Sequence, residues 1–325
     1  MKKLGFINKI IFLVNNAFAI LLLLSLFIAY IRPSNFSFAP IIGLTIPMVI
    51  LINVFFVIYW VLIGFRKQFL LSTIVLLLSL FFSTPIYKFS NKRDNIRQNE
   101  IKIMSYNVRK FNSRRWIADD SIPNKISSFI HDKNPDIVVL QEFEPTDNFS
   151  LEYPYKYNPS ANKLSMSGLA IYSNYPIINQ GKVDISKHPN RVIFADILIN
   201  TDTLRIFNFH FQSLGLIPGK EFLGQKNSDG LIRRLRSAFT EQEKQLFNYR
   251  SQPSSQNKKI ILAGDLNNTS FSWVYKNLKS NLQDSFIKAG KEFGKTYEFK
   301  GFPLRIDFVL VDQKLDILHH KNYDV

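Results

Sequence analysis

Residues 259–267 read KIILAGDLN, an apolar run that is followed at once by the polar side chains of Asp265 and Asn267. A short, continuous apolar run that ends at a turn signal is typical of a strand in a sheet whose two faces are both covered. Residues 136–142, DIVVLQE, repeat the pattern and place Glu142 at the end of a second such run. The two stretches predict a layered α/β domain with polar side chains at its strand ends.

Strand-like and helix-like segments alternate around these two stretches. Further strands are predicted at 101–108, 168–172, 192–199, 204–211 and 305–311. One helix is predicted to begin at Ser121, a capping residue ahead of Pro123, and a long basic helix covers 231–250. This alternation indicates an α/β fold.

Two more predicted strands end in polar residues, Asn107 and His210. Each strand end has a purely structural alternative. Asn107 could cap a turn, Glu142 could be the first solvated residue after its strand, and His210 could be a hydrogen-bonded core histidine. Asp265 and Asn267 could form an Asx turn. Four such ends in one domain favour a shared site, because ligand sites of α/β proteins gather at one edge of the sheet.

The residue types at these ends suit hydrolysis of a phosphate ester with a hard metal ion. Mg²⁺ and Mn²⁺ prefer oxygen ligands, which Glu142 and the amide of Asn107 offer. Asp265 can orient or deprotonate the attacking water, while His210 and Asn267 can donate hydrogen bonds to phosphate oxygens. The sequence has no cysteine, which excludes a thiolate zinc site, an iron–sulfur cluster, a disulfide scaffold and a cysteine nucleophile.

Five short motifs carry a family resemblance. They are SYNV (105–108), VVLQE (138–142), NFHFQ (208–212), LAGDLN (262–267) and RIDFVLV (305–311). In this order they resemble the endonuclease/exonuclease/phosphatase superfamily, which includes DNase I-like nucleases, over about residues 100–325. The resemblance implies a four-layer α/β sandwich (DNase I-like), two facing sheets flanked by helices, and hydrolysis of phosphoric esters.

The resemblance also implies roles for individual residues. Asn107 and Glu142 would bind the divalent metal, Mg²⁺ or Mn²⁺. His210 would contact the scissile phosphate, Asp265 would orient the nucleophilic water, and Asn267 would lie beside it on phosphate or metal. Asp265, His210, Asn267 and Asp307 are therefore the expected catalytic residues, and Asn267 is also a candidate substrate-binding residue.

Asp307 matches the family carboxylate that orients a final catalytic histidine. Members of the family end in a Ser-Asp-His motif, whereas this sequence stops at residues 323–325 without one. Asp316, His319 and His320 follow the last strand too closely to replace it. We expect a C-terminal truncation, and we expect the chain 1–325 to be nearly inactive, because a catalytic unit loses most of its rate with one member. The alternative is a membrane-tethered binding module that has lost the chemistry.

The first ninety residues differ from the rest, because they contain no Asp or Glu. Three apolar runs, 10–31, 41–63 and 69–87, approach the ~20 residues that cross a hydrocarbon core. A buried helical core and a cleaved signal peptide are the alternatives, and the three successive acid-free runs disfavour both. We therefore predict a three-helix transmembrane anchor that precedes the α/β domain.

The predicted organisation is an anchor over 1–89, a polar linker over 90–100 and the hydrolase domain over 101–325. Asn15 and Asn16 lie inside the first apolar run, and we expect them to face another helix, since an unpaired amide in lipid is costly.

The charges around the spans do not decide the membrane topology. Three spans would put these two sets of cations on opposite faces: Lys2, Lys3, Lys9, Arg66 and Lys67 against Arg32, Lys88, Lys92, Arg93 and Arg97. The sets are equal, while the loops between spans favour a cytoplasmic N-terminus. We expect an integral protein of the cell membrane with its catalytic domain outside the cytoplasm.

The net charge of +16 indicates an anionic substrate but does not distinguish one class of anion from another. Cations follow the first motif at Arg109, Lys110, Arg114 and Arg115 and recur at Arg233, Arg234 and Arg236; Arg109 is the candidate substrate-binding residue. These clusters could equally be ordinary solvated surface. Membrane attachment favours a lipid-linked phosphate or pyrophosphate, and nucleic acid is the competing substrate. The expected partners are that substrate and the lipid bilayer, with no obligate protein partner.

Overall fold

The fold is described from a computed structural model of the chain. The described residues are 4–64, 67–89, 100–159, 168–185, 191–215, 228–251, 258–299 and 302–324. Of the cations weighed for topology, Lys2, Lys3, Arg66, Lys92, Arg93 and Arg97 lie outside these ranges, as does nearly all of the predicted linker.

Seven α-helices lie in the described ranges. They are α1 (Phe6–Ser25), α2 (Ala39–Leu62), α3 (Phe69–Phe82), α4 (Ile122–Lys133), α5 (Ser228–Arg250), α6 (Trp273–Lys279) and α7 (Ser285–Ala289). A 3₁₀ turn, Ile28–Tyr30, follows α1. Ser121 occupies the position before α4, but its side chain makes no capping hydrogen bond. Its hydroxyl donates to Asp119 Oδ1 at 2.5 Å instead, so the prediction of a serine cap is wrong.

Helices α1 to α3 form an apolar bundle at the start of the chain. Two of the described helices are long and apolar enough to cross a membrane, Phe6–Tyr30 including the 3₁₀ turn and Ala39–Leu62. Helix α3 has only 14 residues, and at ~1.5 Å per residue it rises about 21 Å, short of a ~30 Å hydrocarbon core. The third predicted span, 69–87, is therefore not a helix of spanning length.

The third helix ends early for a local and a long-range reason. Ser83 is already extended at the C-terminal end of α3, and Pro85 follows, which cannot continue a helix. Strand β1 (Tyr87–Lys88) then pairs antiparallel with β11 (Glu292–Phe293), near the other end of the chain. The last residues assigned to the anchor thus join the C-terminal domain.

Polar side chains inside the bundle pair with one another. Asn15, Asn53, Trp60 and Ser72 are all fully buried. Asn15 Nδ2 donates to Ser72 Oγ at 2.7 Å, Trp60 Nε1 donates to Asn15 Oδ1 at 2.7 Å, and Ser72 Oγ donates to Asn53 Oδ1 at 2.9 Å. The expectation that Asn15 faces other helices is confirmed, since its partners lie on α2 and α3; Asn16 is half-buried.

Two larger sheets build the second half of the chain. Its strands are β2 (Ile103–Asn107), β3 (Ile137–Phe143), β4 (Tyr155–Tyr157), β5 (Gly168–Ser173), β6 (Ile177–Lys182), β7 (Val192–Ile199), β8 (Asp202–His210), β9 (Lys259–Asp265), β10 (Gln283–Asp284), β11, β12 (Tyr297–Phe299), β13 (Phe302–Leu304) and β14 (Asp307–Val311). One sheet has the order β2-β3-β5-β4 and the other β10-β14-β9-β8-β7-β6; β12 and β13 form a separate hairpin. Pairs β2–β3 and β8–β9 are parallel.

The two sheets face each other across a shared core. Ile137, Val139 and Ile171 from one sheet pack with Ile206 and Ala263 from the other. Helix α4 covers the outer face of the four-stranded sheet, and α5 and α6 cover the outer face of the six-stranded sheet. The helices and sheets are stacked as helix, sheet, sheet and helix, and the predicted α/β fold is confirmed.

The bundle docks directly on the second half of the chain. Ser34, in the connection between α1 and α2, donates from its backbone N and its Oγ to the Glu243 carboxylate on α5 at 2.8 and 2.9 Å. Ile41 and Leu44 pack against the apolar cluster of α5. Thr84, after α3, hydrogen-bonds Ser270 through the two hydroxyls at 2.8 Å. These contacts fix the bundle to α5 and to the loop that follows β9.

Candidate functional site

Strand register brings the predicted site residues to one edge of the facing sheets. His210 pairs directly with Asp265 across the parallel β8–β9 ladder, and Asp307 pairs with Asp265 across β14–β9. Asn107, the last residue of β2, pairs with Gln141, the neighbour of Glu142. Because each apolar strand stops at the same edge, its first polar side chain faces the others.

The geometry of the site confirms that these residues meet. Asn107 Nδ2 donates to Asp265 Oδ2 at 3.0 Å and to Glu142 Oε1 at 3.3 Å. His210 Nε2 lies 3.8 Å from Glu142 Oε1 and 3.9 Å from Asp265 Oδ2. Four residues from four strands, separated by up to 158 positions in sequence, therefore share one small volume. We call Asn107, Glu142, His210 and Asp265 the strand-end cluster.

The loop after β9 adopts a turn that holds Asp265. The backbone N–H of Asn267 donates to Asp265 Oδ1 at 2.7 Å, and Asn267 has a left-handed backbone with φ 52°. The Asx turn weighed as a structural alternative is thus present, and it leaves Asp265 Oδ2 facing the cluster. The Asn267 Nδ2 group donates to the backbone oxygen of Phe211 at 3.2 Å.

Gly264 is required where β9 enters this loop. Its φ is 153°, and a Cβ added there would meet the Phe209 carbonyl oxygen at 2.0 Å. No other residue type fits so close to the neighbouring backbone. The glycine thereby lets β8 and β9 run side by side to their ends, which sets the distance between His210 and Asp265.

The cluster concentrates negative charge in a dry environment. Burial and the nearby Asp307 carboxylate raise the pKa of Asp265 well above its usual range, with a smaller contribution from Glu142. Burial likewise raises the pKa of Asp307 to about 7, although the Thr296 hydrogen bond and Arg109 oppose the shift. Ionising Asp265, Asp307 and Glu142 together is unfavourable, because their negative charges repel one another. A bound cation would stabilise the ionised forms.

His210 is buried beside these acids and is held in its neutral form. Burial and the positive charge of Arg191 lower the pKa of His210 to about 3. Its Nε2 atom is buried and has no hydrogen-bond partner among the residues that the structure describes. A neutral imidazole with an unmet Nε2 beside two carboxylates is unusual for a structural histidine, because buried polar atoms are normally paired.

The donor set suits a hard cation once the Asn107 amide is reoriented. Glu142 and Asp265 present carboxylate oxygens, but Asn107 turns its Nδ2 towards them, and its Oδ1 accepts from the Arg109 backbone N–H at 3.0 Å. A half-turn of the Asn107 amide would face its oxygen towards a cation. In the described parts of the chain, no three acidic, imidazole or thiol side chains already form a coordination shell.

Arg109, the candidate substrate-binding residue, is exposed and lies two residues after Asn107. Its guanidinium carbon lies 5.8 Å from the ring centroid of Trp116 and 5.9 Å from that of Tyr297. The Arg109 charge also acts on buried Asp307. Arg109 through Asn112 all have positive φ, so the chain turns sharply away from the site directly after Asn107.

Two residues beside the cluster were missed by sequence reasoning. Arg191 is largely buried, which lowers its pKa, while Glu142, Glu241 and Asp265 oppose the shift. It comes directly before β7, and no local motif distinguishes it from other cations.

Gln242 on α5 is the second missed residue, and it is fully buried. Its Nε2 donates to the backbone oxygens of Leu266 at 3.3 Å and Asn267 at 3.2 Å. Its Oε1 accepts from Asn268 Nδ2 at 2.8 Å. A detectable signal existed: Phe239, Gln242 and Leu246 have i, i+3, i+7 spacing, so an amide occupies the apolar face of a helix.

The late histidine lies outside the cluster. His320 Nδ1 lies 2.9 Å from Ser285 Oγ, and its Nε2 lies 2.7 Å from Asn322 Oδ1. Its ring packs edge-on against Phe286. These contacts place His320 beside the start of α7 and the last described residues.

Comparisons with known proteins extend over both halves of the chain. The model of the endonuclease/exonuclease/phosphatase family matches residues 104–323, and that of a domain of unknown function (DUF8431) matches residues 8–86. No curated protein matches the chain.

Several solved structures are similar to part of the chain. An endonuclease/exonuclease/phosphatase family protein from Leptotrichia buccalis has 14% identity and a TM-score of 0.44, over 66% of this chain and 89% of that one. The mannosyl-6-phosphatase Bt3783 of Bacteroides thetaiotaomicron has 16% identity and a TM-score of 0.44, over 66% and 86%. A β-hairpin deletion mutant of Staphylococcus aureus beta toxin has 18% identity and a TM-score of 0.43, over 70% and 90%.

Proposed function

The chain belongs to the endonuclease/exonuclease/phosphatase family, whose members hydrolyse phosphoesters, and from that premise we propose that its second half is a divalent-metal-dependent phosphoester hydrolase. The observation that carries the proposal is the strand-end cluster. It combines two acids, an amide and a neutral histidine within hydrogen-bonding or near-contact distance. Metal-assisted attack of water on phosphorus uses metal ligands, a base and hydrogen-bond donors of these kinds.

Glu142 and a rotated Asn107 amide would hold Mg²⁺ or Mn²⁺, and the ion would supply Lewis acidity at the phosphate. Asp265, held by the Asn267 backbone, orients the attacking water and accepts its proton. Its raised pKa suits a base that must take a proton near neutral pH. Asp307 lies next to it in register and helps to keep that pKa high.

His210 and Asn267 serve the phosphate. Because His210 is neutral at physiological pH, it carries one ring proton, and its unpartnered Nε2 is the atom placed to donate to a phosphate oxygen. Asn267 Nδ2 donates to the Phe211 backbone oxygen, and its second N–H would donate to the phosphate. Donors that are already fixed when charge develops on phosphate oxygens are worth about 10²–10³ in rate each. Arg109 at the rim attracts the anionic substrate.

The apolar bundle supports a membrane anchor for this domain. Helices α1 and α2 expose many large apolar side chains, among them Phe6, Leu13, Phe55 and Leu62, which a bilayer would cover. Helix α3 is also apolar and would complete three spans if the bilayer thins locally or the flanking residues extend it. An integral cell-membrane protein with the hydrolase outside the cytoplasm is the arrangement we propose.

A lipid-linked phosphate or pyrophosphate is the substrate class that this arrangement favours. The loop that carries Asp265 and Asn267 continues to Ser270, which hydrogen-bonds Thr84 just after α3. The catalytic loop is thus held close to the end of the bundle, where lipid head groups would lie. Nucleic acid is the second candidate, favoured by the cations Arg109, Arg114 and Arg115, which follow Asn107 closely in sequence.

The experiment expresses the protein from its whole reading frame and purifies it in detergent. Hydrolysis of a polyprenyl pyrophosphate, a phospholipid and single- and double-stranded DNA is followed with Mg²⁺, with Mn²⁺ and with EDTA. We expect metal-dependent turnover of the lipid substrate, reduced at least a hundredfold in His210→Ala. The matched control is His131→Ala, since His131 is exposed on α4.

Two outcomes would contradict the proposal. Equal losses of turnover in His210→Ala and His131→Ala would show that the strand-end cluster does not take part in the reaction. Metal binding without turnover of any of the substrates would favour the alternative, a tethered binding module. Salt dependence separates the two substrate classes, because affinity for nucleic acid falls steeply with salt.

A further inference from the structure

Strand β3 is irregular at the point where it carries Glu142. Its regular pairing with β5 ends where Leu140 lies opposite Ala170, and the pairing resumes only at Phe143. Between these two pairs, three steps along β3 match two steps along β5, so β3 holds one extra residue. Such an insertion is a β-bulge, and we call residues 141–143 the β3 bulge.

The β3 bulge gives Glu142 a backbone conformation that strand residues do not adopt. Its φ is 48°, in the left-handed region that is uncommon for any residue with a side chain. Bulges redirect side chains beside functional sites, and here the Glu142 Oε1 atom lies 3.8 Å from His210 Nε2. A strained backbone of this kind persists only where the surrounding contacts hold it in place.

Asn208 supplies such contacts from the opposite sheet. It lies on β8, two residues before His210, and is fully buried. Its Nδ2 donates to the backbone oxygens of Leu140 at 2.8 Å and of Ala170 at 2.9 Å, the last regular pair before the β3 bulge. Because backbone oxygens only accept hydrogen bonds, these two contacts fix the orientation of the Asn208 amide.

The oxygen of the Asn208 amide is held by the β3 bulge itself. Gln141, the first residue of the bulge, donates from Nε2 to Asn208 Oδ1 at 2.8 Å, and Gln141 is also fully buried. Alternate residues of a strand share a face, so Asn208 lies between the core residue Ile206 and His210. One carboxamide of β8 therefore ties β3 and β5 together directly beneath the strand-end cluster.

We propose that Asn208 is a positioning residue, which holds the β3 bulge and thereby sets where Glu142 lies relative to His210. It acts through Glu142 and not by contact with substrate or metal. Without the amide, two buried backbone oxygens would lose a donor, which is unfavourable, and the bulge would relax. The consequence for metal binding rests on the proposed function, because Glu142 is a metal ligand only there; the consequence for the bulge does not.

The helical bundle offers a matched control for this role. Asn53 on α2 is also fully buried, and its Nδ2 also donates to two backbone oxygens, those of Phe18 at 3.2 Å and Val49 at 2.9 Å. Its Oδ1 accepts from Ser72 Oγ at 2.9 Å. Asn53→Leu and Asn208→Leu therefore remove equivalent hydrogen bonds at nearly constant side-chain size, the first of them outside the strand-end cluster.

The first measurement is hydrogen exchange, which needs neither metal nor substrate. It is applied to the full chain in detergent, as wild type, Asn208→Leu and Asn53→Leu. We expect the amides of residues 140–143 and 168–170 to exchange about tenfold faster in Asn208→Leu, because the β3 bulge opens more often without its hydrogen bonds. In Asn53→Leu these amides should exchange as in the wild type.

The second measurement is the affinity for Mn²⁺, by electron paramagnetic resonance on the same preparations. Loss of a group that orients a metal ligand weakens metal binding by about 10- to 100-fold, and we expect this loss in Asn208→Leu. Asn53→Leu should bind Mn²⁺ as the wild type does, although its stability falls by a similar amount. A merely structural role for Asn208 would give the two variants equal affinities.

Asn208→Thr, with Asn53→Thr as its control, covers the case in which Asn208→Leu does not fold. The threonine hydroxyl can donate to one of the two backbone oxygens. We therefore expect faster exchange in the β3 bulge and weaker Mn²⁺ binding than in the wild type, both by less than in a folded Asn208→Leu.

Two results would overturn the proposal. The first is exchange in the β3 bulge that stays at the wild-type rate in the Asn208 variants, or that rises equally in the Asn53 variants. The second is Mn²⁺ binding by the Asn208 variants that is as tight as in the wild type. If the wild type itself binds no Mn²⁺, the proposed function fails, and hydrogen exchange alone then decides whether Asn208 holds the bulge.

Discussion

The helical bundle and the strand-end cluster both bury polar side chains, but they treat them differently. In the bundle, Asn15, Asn53, Trp60 and Ser72 pair with one another at 2.7 to 2.9 Å. In the cluster, acids crowd together, and His210 Nε2 has no hydrogen-bond partner within the described ranges. Buried polar groups that serve the fold are saturated, since an unpaired group costs stability. Buried polar groups that bind a ligand keep donor or acceptor atoms unpaired until the ligand is present.

The largest expected effect comes from removing one acid of the cluster. Asp265→Asn should lower turnover at least a thousandfold, because it removes the base and upsets the electrostatics of the site. The same change should leave the melting temperature unchanged or raise it, because it relieves charge crowding. Activity and thermal unfolding are measured on the same detergent preparation. A clear drop in melting temperature would show that the cluster is a structural network like that of the bundle.

The opposite behaviour is expected in the bundle. Asn15→Leu leaves the Trp60 indole N–H without its acceptor and removes the amide that donates to Ser72 Oγ. It should destabilise the protein by about 1–3 kcal/mol. Turnover per folded molecule should stay unchanged. Asn16→Leu is the matched control, because Asn16 is only half-buried, and should change stability by less than about 0.5 kcal/mol. Equal changes in stability at the two positions would show that the buried hydrogen bonds of Asn15 do not stabilise the bundle.

A smaller effect is expected in the pH dependence of stability without metal. The pKa of Asp307 is raised to about 7 by burial, whereas an unfolded aspartate titrates near 3.9. The folded state therefore holds the extra proton, and this contribution to stability is present below about pH 4 and is lost as pH rises through about 7. In EDTA, the melting temperature should fall between pH 5 and 8.

Asp307→Asn is the variant that tests this assignment. It should flatten the fall in melting temperature between pH 5 and 8, because the variant has no proton to lose at that position. Added Mg²⁺ should also oppose the fall in the wild type, since the ion favours the ionised acids. An unchanged slope in Asp307→Asn would show that other groups set the pH dependence.

The smallest expected effect concerns the contact that joins the two regions. Glu243→Gln weakens a charge-assisted hydrogen bond with Ser34, and should cost about 1 kcal/mol of stability. Because Gln242 beside it clamps the backbone of Leu266 and Asn267, we also expect a loss of turnover of no more than severalfold. Hydrogen exchange of residues 265–270 would check whether the loop loosens. Unchanged hydrogen exchange in residues 265–270 would show that the contact between Ser34 and Glu243 does not affect the loop.

Much of the site could be predicted because its signals are local. An apolar run that stops at a polar residue marks a strand end, and parallel neighbours place such ends together. This reasoning located Asn107, Glu142, His210 and Asp265. It could not give the orientation of the Asn107 amide, which depends on Arg109 and on two acids from distant strands.

The misses have identifiable physical causes. The third apolar run looked like a span up to Tyr87, yet β1 is taken into a pairing with β11, more than 200 residues away in sequence, and no local pattern reveals such a partner. Arg191 is placed by the packing of β7 beside β8, so its sequence neighbours carry no signal. Ser121 has the right residue type for a cap, but Asp119 offers its hydroxyl a competing acceptor.

The most direct test of the central claim is a titration with Mn²⁺, which needs no knowledge of the substrate. Isothermal titration or electron paramagnetic resonance is applied to the wild type, to Glu142→Gln and to Glu144→Gln, a matched acid two residues along the chain. We predict one Mn²⁺ site in the wild type and in Glu144→Gln, weakened at least tenfold in Glu142→Gln. Equal binding by all three proteins, or no binding by the wild type, would contradict the assignment of the strand-end cluster as a metal-dependent hydrolase site.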